Sequence, residues 1–140
     1  MSDLKAKILA TMDKPTLASF ATLTGDGKPW VRYVTTWADK DLVIRFATFA
    51  SSRKVAQVKN NPEVHLTLGA NDPANPQPYI QVQGKAQVKT DPAARQAVWF
   101  DQLKVYFQGP DDPNLAVMEI TPYHIEYMKV GSMEPEVWKA

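Results

Sequence analysis

Apolar and polar positions alternate along most of this chain with the two-residue period of strands, broken by a few helical stretches. Leu4, Ile8 and Met12 share one face of a helix, which Pro15 stops. Leu17 to Leu23 is short and mixed, and Thr24-Gly25-Asp26-Gly27 after it is a turn signal. Trp30 to Trp37 (WVRYVTTW) is rich in β-branched and aromatic residues, which suit a pleated surface, so the two segments predict a hairpin. Ala38-Asp39-Lys40-Asp41 is a second turn, and Leu42 to Thr48 a third strand. Ser51 to Asn60 changes period: Val55 and Val58 lie three apart among polar residues, as on a one-sided helix. Glu63 to Leu68 and Tyr79 to Lys89 alternate again, and Gly84 is a candidate bulge. Asp91-Pro92 opens a third helix, with Asp as N-cap and Pro at the first position. It is expected to run to about Tyr106 and to bury Val98, Trp99, Phe100 and Leu103. Leu115 to Ile120 and Tyr123 to Val130 read as two last strands joined across Thr121-Pro122, and the tail from Gly131 to Ala140 has no clear period. Sequential strands with polar turns predict a mostly β fold with accessory helices: a six- to seven-stranded antiparallel barrel, with open sandwich sheets the alternative.

Composition narrows the function classes. The 140 residues suit a single domain, residues 1–140. A chain of that length buries roughly two-thirds of its unfolded surface and folds without staples. There is no cysteine, which removes disulfides, thiolate metal sites and thiol nucleophiles, and fits a cytoplasmic protein. The polar start, Met1-Ser2-Asp3-Leu4-Lys5, leads into no apolar signal region. No run approaches the roughly 20 apolar residues that span a bilayer, so no membrane partner is expected. Sixteen basic residues against 15 acidic ones leave a net charge of +1, too little for a dedicated nucleic-acid binder. Two histidines, His65 and His124, argue against a histidine metal site, and both read as exposed or interface residues. Asp111-Asp112 beside Pro113 reads as a loop or helix stop rather than a metal pair.

The informative segment is Ser51-Ser52-Arg53-Lys54. A serine is a good N-cap, but the two cations then fall in a first turn whose dipole is already positive. At an exposed site that mismatch costs about 0.3–1 kcal/mol per charge. An anion reverses the sign, because backbone N–H groups, hydroxyls and cations would converge on it. Arg32 adds to this, standing within a strand of apolar and hydroxyl residues. It shares a face with Trp30, Val34 and Thr36, and alternation alone leaves open whether that face is inside.

Taken together, Arg32 to Trp37, Phe46-Ala47-Thr48, Ser51 to Lys54, Asn61-Pro62 and Val64-His65-Leu66 resemble the pyridoxamine 5'-phosphate oxidase-like family, and more narrowly its general stress protein branch. The resemblance runs from about Leu4 to Val130. It implies the FMN-binding split β-barrel, a homodimer and a flavin at the dimer interface. By position, it implies that Arg32 reaches the FMN phosphate and that Tyr33, Val34 and Thr35 carry the backbone along the flavin ring. Thr48 then supplies a hydroxyl before the helix, and Ser52, Arg53 and Lys54 form the phosphate clamp. Ser51, where the family often has glycine, adds a further hydroxyl. Two positions depart: Trp37 replaces a lysine of the oxidases, and Tyr79 stands near their ring-contacting glutamine, with Gln81 a substitute one pleat away. The oxidases end in a basic, histidine-containing segment that holds substrate, whereas this chain ends Ser132-Met133-Glu134-Pro135-Glu136-Val137-Trp138-Lys139-Ala140. Trp138 is open to two readings, a lid over the flavin of a partner subunit or an anchor for the tail.

These readings favour an FMN-binding protein, an oxidoreductase of unknown small-molecule substrate rather than a true pyridoxamine phosphate oxidase. The alternatives are a non-catalytic flavin-binding or stress-related protein, and a barrel binding deazaflavin or haem. No Ser-His-Asp set suggests hydrolysis, so redox chemistry would rest on the cofactor.

Overall fold

The computed structural model describes residues 3–140. Helix α1 (Asp3–Ala10) is followed by strands β1 (Thr16–Leu23), β2 (Pro29–Ala38) and β3 (Ile44–Phe49). Helix α2 (Arg53–Asn60) leads into β4 (Glu63–Leu68) and β5 (Tyr79–Lys89). Helix α3 (Pro92–Val98) and a 3-10 helix (Asp101–Val105) precede β6 (Leu115–Met128) and β7 (Glu136–Lys139). The strands pair antiparallel in the order β3-β2-β1-β4-β5-β6-β7, and β3 also pairs with β6. That second pairing closes six strands into a barrel and leaves β7 as an added strand, so the predicted mostly β barrel is the fold observed.

Period two decides what fills the barrel. Ala18 and Phe20 from β1, Ile44 and Phe46 from β3, Leu66, Ile80, Val82, Met118, Ile120 and Ile125 all point inward and are buried. Phe20 and Phe46 meet edge to face at 5.0 Å between ring centroids. Ile8 of α1 and Met12 just beyond it are buried against one part of this core, and Val55 and Val58 of α2 against another. A second, smaller cluster, Leu103, Phe107 and Leu115, lies outside the main core, with Ala47, Trp99 and Phe100 packed on it.

Four local expectations need correction. Leu42 belongs to the turn, not to a strand: its φ of 67° is left-handed, held by Asp39, whose carboxylate accepts from the N–H groups of Asp41 and Val43. The third helix stops at Val98, because Trp99 is already extended (φ −69°, ψ 135°), and a separate 3-10 turn follows. Trp99, Phe100 and Leu103 still pack together, and Val98 is buried at the end of α3. The two final strands are one continuous strand, Leu115–Met128. Pro122 interrupts no ladder bond there because the register slips at Gln83/Gly84: Gly84 faces Pro122 and Gln83 faces His124, leaving Tyr123 bulged. A Cβ at Gly84 would meet Ile120 Cγ2 at 2.7 Å, so the expected bulge is also a close approach. Finally, the tail is not shapeless, since Glu136–Lys139 adds to β6 with Trp138 opposite Ile125.

Candidate functional site

Strand β2 has two unequal neighbours. Its register with β1 runs unbroken from Thr16↔Thr36 to Leu23↔Pro29, but with β3 it holds only at Trp37↔Arg45 and Ala38↔Ile44. Beyond that point β3 pairs with β6, from Ile44↔Ile120 to Phe49↔Leu115. The barrel therefore splits between β2 and β3, and the outer edge of β2 offers backbone N–H and C=O groups that no strand takes. A cleft of about 630 Å³ fills the split. Tyr33, Val34 and Thr35 line one wall, Ala47, Thr48 and Phe49 the other, with Lys54 at one position and residues of the 3-10 segment at another. Its size is that of a small-molecule or cofactor site.

The polar end is built around three cations. Arg32 lies on the inward face of β2, which settles the question alternation left open. Its guanidinium donates to Thr22 Oγ1 at 2.8 Å, to Gln57 Oε1 at 3.2 Å and to the carbonyl of Trp30 at 3.1 Å. Thr22 itself donates to Gln57, so α2 and β1 together brace the arginine. Lys54 Nζ donates to Thr48 Oγ1 at 2.9 Å, and Ser52 Oγ lies 3.4 Å from the same hydroxyl. Ser52 is the N-cap of α2, yet its side chain makes no capping bond. The Arg53 guanidinium sits 5.1 Å from the centre of the Trp30 ring.

No carboxylate neutralises this group: among the described residues, none of Arg32, Arg53 and Lys54 forms an ion pair. The cations feel one another instead. Burial lowers the pKa of Lys54, and Arg32 lowers it further. Burial and then Arg53 act the same way on Arg32. Mutually repelling cations, two of them partly buried, beside two hydroxyls and a helix N-terminus make an electrostatic setting that favours an anion.

Of the residues singled out from sequence, Tyr33, Val34, Thr35, Thr48 and Lys54 line the cleft. Arg32, Ser52 and Arg53 adjoin its polar end, and Ser51 is exposed in the turn before α2. Gln81 and Trp138 do not line it. Gln81 lies on β5 between Thr67 and Glu126, while Trp138 is half-buried on β7 against the main core. Sequence reasoning missed Thr22 and Gln57. The signal was there: Thr22 continues the inward phase of Ala18 and Phe20, and Gln57 falls one turn beyond Arg53 and Lys54. His65 is half-buried on β4, its pKa lowered by burial against an opposing pull from Glu126, and His124 bonds Glu126 at 2.8 Å. Asp112 accepts from the N–H groups of Gln108 and Asn114, so it shapes a loop. Among the described residues no group of three or more acidic or histidine side chains gathers as for a metal, and no helix is long and apolar enough to cross a membrane.

Residues 4–129 match the pyridoxamine 5'-phosphate oxidase family. General stress protein 26 of Bacillus subtilis is 35% identical over 133 residues, covering 95% of this chain and 94% of that protein. The crystal structure of General Stress Protein 26 from Bacillus anthracis superposes with a TM-score of 0.85 at 29% identity, covering 99% of this chain and all of the other. The fold alone is shared with an F420 reductase (TM-score 0.63, 24% identity, 83% of this chain and 93% of that one). It is shared likewise with a haem-binding protein from Mycobacterium smegmatis (TM-score 0.74, 16% identity, 96% and 56%). The split between β2 and β3, the cation group beside it and these likenesses agree: the chain belongs to the pyridoxamine 5'-phosphate oxidase family, in the branch of the general stress proteins.

Proposed function

We propose that this protein binds FMN in the β2–β3 cleft and acts as a flavin-dependent oxidoreductase on a small molecule. The observation that carries the reading is the carboxylate-free set Arg32, Arg53 and Lys54, with the Thr48 and Ser52 hydroxyls, at one end of a cofactor-sized cleft. Lys54, Arg53, Ser52 and Thr48 would hold the phosphate, with Arg32 adding positive potential from within the barrel and Ser51 reaching it from the turn. The unpaired edge of β2 at Tyr33, Val34 and Thr35 would take the ring's polar atoms. FMN, when bound, supplies the electron or hydride transfer. Among the described residues no carboxylate or imidazole lines the cleft, and on this reading the protein's own part is to hold, orient and exclude water.

A partner copy completes the reading. Leu17, Val31 and Tyr33 are 46%, 64% and 74% exposed on the outward face of β1 and β2, an apolar patch that a two-fold homodimer would cover. Gln81 and Trp138, remote from the cleft of their own chain, are then the candidates to reach that of a partner. Haem is disfavoured because, among the described residues, neither His nor Met lines the cleft. A deazaflavin carries a phosphate too, and the mass of the co-purifying chromophore separates it from FMN.

The test is direct. The purified protein is expected to carry or take up FMN, and Arg53→Ala and Lys54→Ala each to weaken it by roughly tenfold to a hundredfold. Unchanged affinity in both variants would show that the clamp lies elsewhere. Reduction of the bound flavin by nicotinamide nucleotides then separates an enzyme from a non-catalytic flavin carrier.

A further inference from the structure

Among the described residues, every group that Arg32 bonds is neutral. Its guanidinium donates to the Thr22 hydroxyl, the Gln57 amide oxygen and the Trp30 carbonyl, and at 3.4 Å to the carbonyl of Phe20. The Phe20 ring lies 5.9 Å from it. Thr22 and Gln57 close part of this arrangement into a ring of three bonds. Arg32 donates to both, and the Thr22 hydroxyl, having accepted from Arg32, donates its own proton to Gln57. Position 57 thus receives two hydrogen bonds on one oxygen, and the ring needs an acceptor there. A glutamate has the same length and would accept as well; glutamine meets the need without charge. Thr22 is 1% exposed, so the hydroxyl that joins the two is shut off from water. The charge on Arg32 is felt nearby: burial and then Arg53 disfavour its ionised form, and Arg32 in turn acts on Lys54.

We infer that Gln57 determines specificity for a phosphate-bearing ligand: it braces Arg32 through a neutral oxygen and so leaves that cation uncompensated for the phosphate. The inference deepens the FMN reading and rests on it for the identity of the ligand. Gln57 does not line the cleft and acts through Arg32, so it is a positioning residue. A carboxylate at 57 would hold Arg32 by a stronger, charge-assisted bond. It would also cancel the charge that draws the phosphate, at a range where Coulomb energy is large. Riboflavin, which has no phosphate, should bind alike in either case.

The experiment measures FMN and riboflavin affinity by flavin fluorescence in the full chain, as the parent and as Gln57→Glu. FMN affinity is expected to fall at least about tenfold in Gln57→Glu, while riboflavin affinity stays within about threefold. Ala56→Glu is the control, since it adds the same charge at an exposed position of the same helix. There the FMN-to-riboflavin ratio should stay within about threefold of the parent's, because an exposed charge is screened. The thermal midpoint of the flavin-free protein should rise in Gln57→Glu, as Arg32 gains a counter-charge, which sets the effect apart from a damaged fold. An unchanged FMN-to-riboflavin ratio in Gln57→Glu, equal losses for both flavins, or the same loss in Ala56→Glu overturns the inference. If the parent binds neither flavin, the FMN reading fails and inorganic phosphate becomes the probe. It should raise the thermal midpoint of the parent more than that of Gln57→Glu, and equal rises overturn the inference.

Discussion

The two sides of strand β2 make one comparison on which most of the molecule turns. Towards β1 it is zipped from Pro29 to Thr36, and inward residues of that pair such as Ala18, Phe20 and Val34 join the main core. Towards β3 it is joined at two positions and then released. Backbone pairing on the first side satisfies the strand's polar groups internally, while on the second side, among the described residues, most of them pair with no strand. On the proposed reading, stability and binding are divided between two edges of one strand, and substitutions on each should separate them.

The largest effect is expected on the zipped side. Phe20→Ala empties a fully buried site beside Phe46 and should cost about 3–5 kcal/mol in denaturant unfolding. A loss under ~1 kcal/mol would mean that the core does not depend on this side as drawn. Next is Gly84→Ala, which forces a methyl group against Ile120 and the Thr121 carbonyl at the β5–β6 slip, for about 1–3 kcal/mol by the same measurement.

The short β2–β3 junction comes third. Arg45, opposite Trp37, donates to Asp39 at 2.8 Å and to Glu119 at 3.1 Å, and Lys89 also reaches Glu119. Arg45→Ala should cost about 1–2 kcal/mol, since these charges are only partly exposed. For Asp39, burial raises the pKa, but the bonds from Arg45 and from the Val43 and Asp41 N–H groups outweigh it and leave the value lowered. Its contribution is therefore present above the ordinary aspartate range, near pH 4, and fades as pH falls through the lower folded value. A thermal midpoint that declines less steeply below about pH 4 in Arg45→Ala than in the parent checks this.

The released side should show the smallest cost. Tyr33→Ala is expected to change stability by no more than about 0.5 kcal/mol in the monomer while weakening the proposed cofactor site or dimer. Lys54→Met should go further and reverse the sign. It removes a cation whose charged form the fold disfavours, so the flavin-free protein gains stability while FMN affinity falls. Inorganic phosphate should raise the thermal midpoint of the parent more than that of this variant.

Elements with a clean period were legible in the sequence. Glu63–Leu68 and Tyr79–Lys89 were assigned to the residue, because alternation was unbroken and turn residues flanked both. Segments shaped by tertiary contacts were not. Trp99 and Phe100 have helix-like spacing, yet the small cluster under β3 pulls them into an extended break. Thr121-Pro122 reads as a turn, but a register slip opposite Gly84 carries the strand through it. The cation end of the site was visible as charges in an unfavourable place. Its braces, Thr22 and Gln57, carried only the weaker signal of their phase, which gains meaning once the sheet brings β1 under α2. The contacts of Phe49 with Tyr106 and Phe107 were hidden for the same reason, since they join β3 to a segment nearly sixty residues later.

The pairing of β3 with β6 also bears on how the chain reaches this shape. It joins residues such as Arg45 and Glu119, 74 positions apart, whereas β1 and β2 meet through a tight hairpin. Closing so long a loop carries a larger entropic cost and rewards the chain only when both strands are in place. The hairpin can therefore form early, and the barrel closes as a late event in folding. Since the cleft exists only after that closure, binding competence should lag behind secondary structure during refolding, and a flavin added at the start would report the final step of assembly.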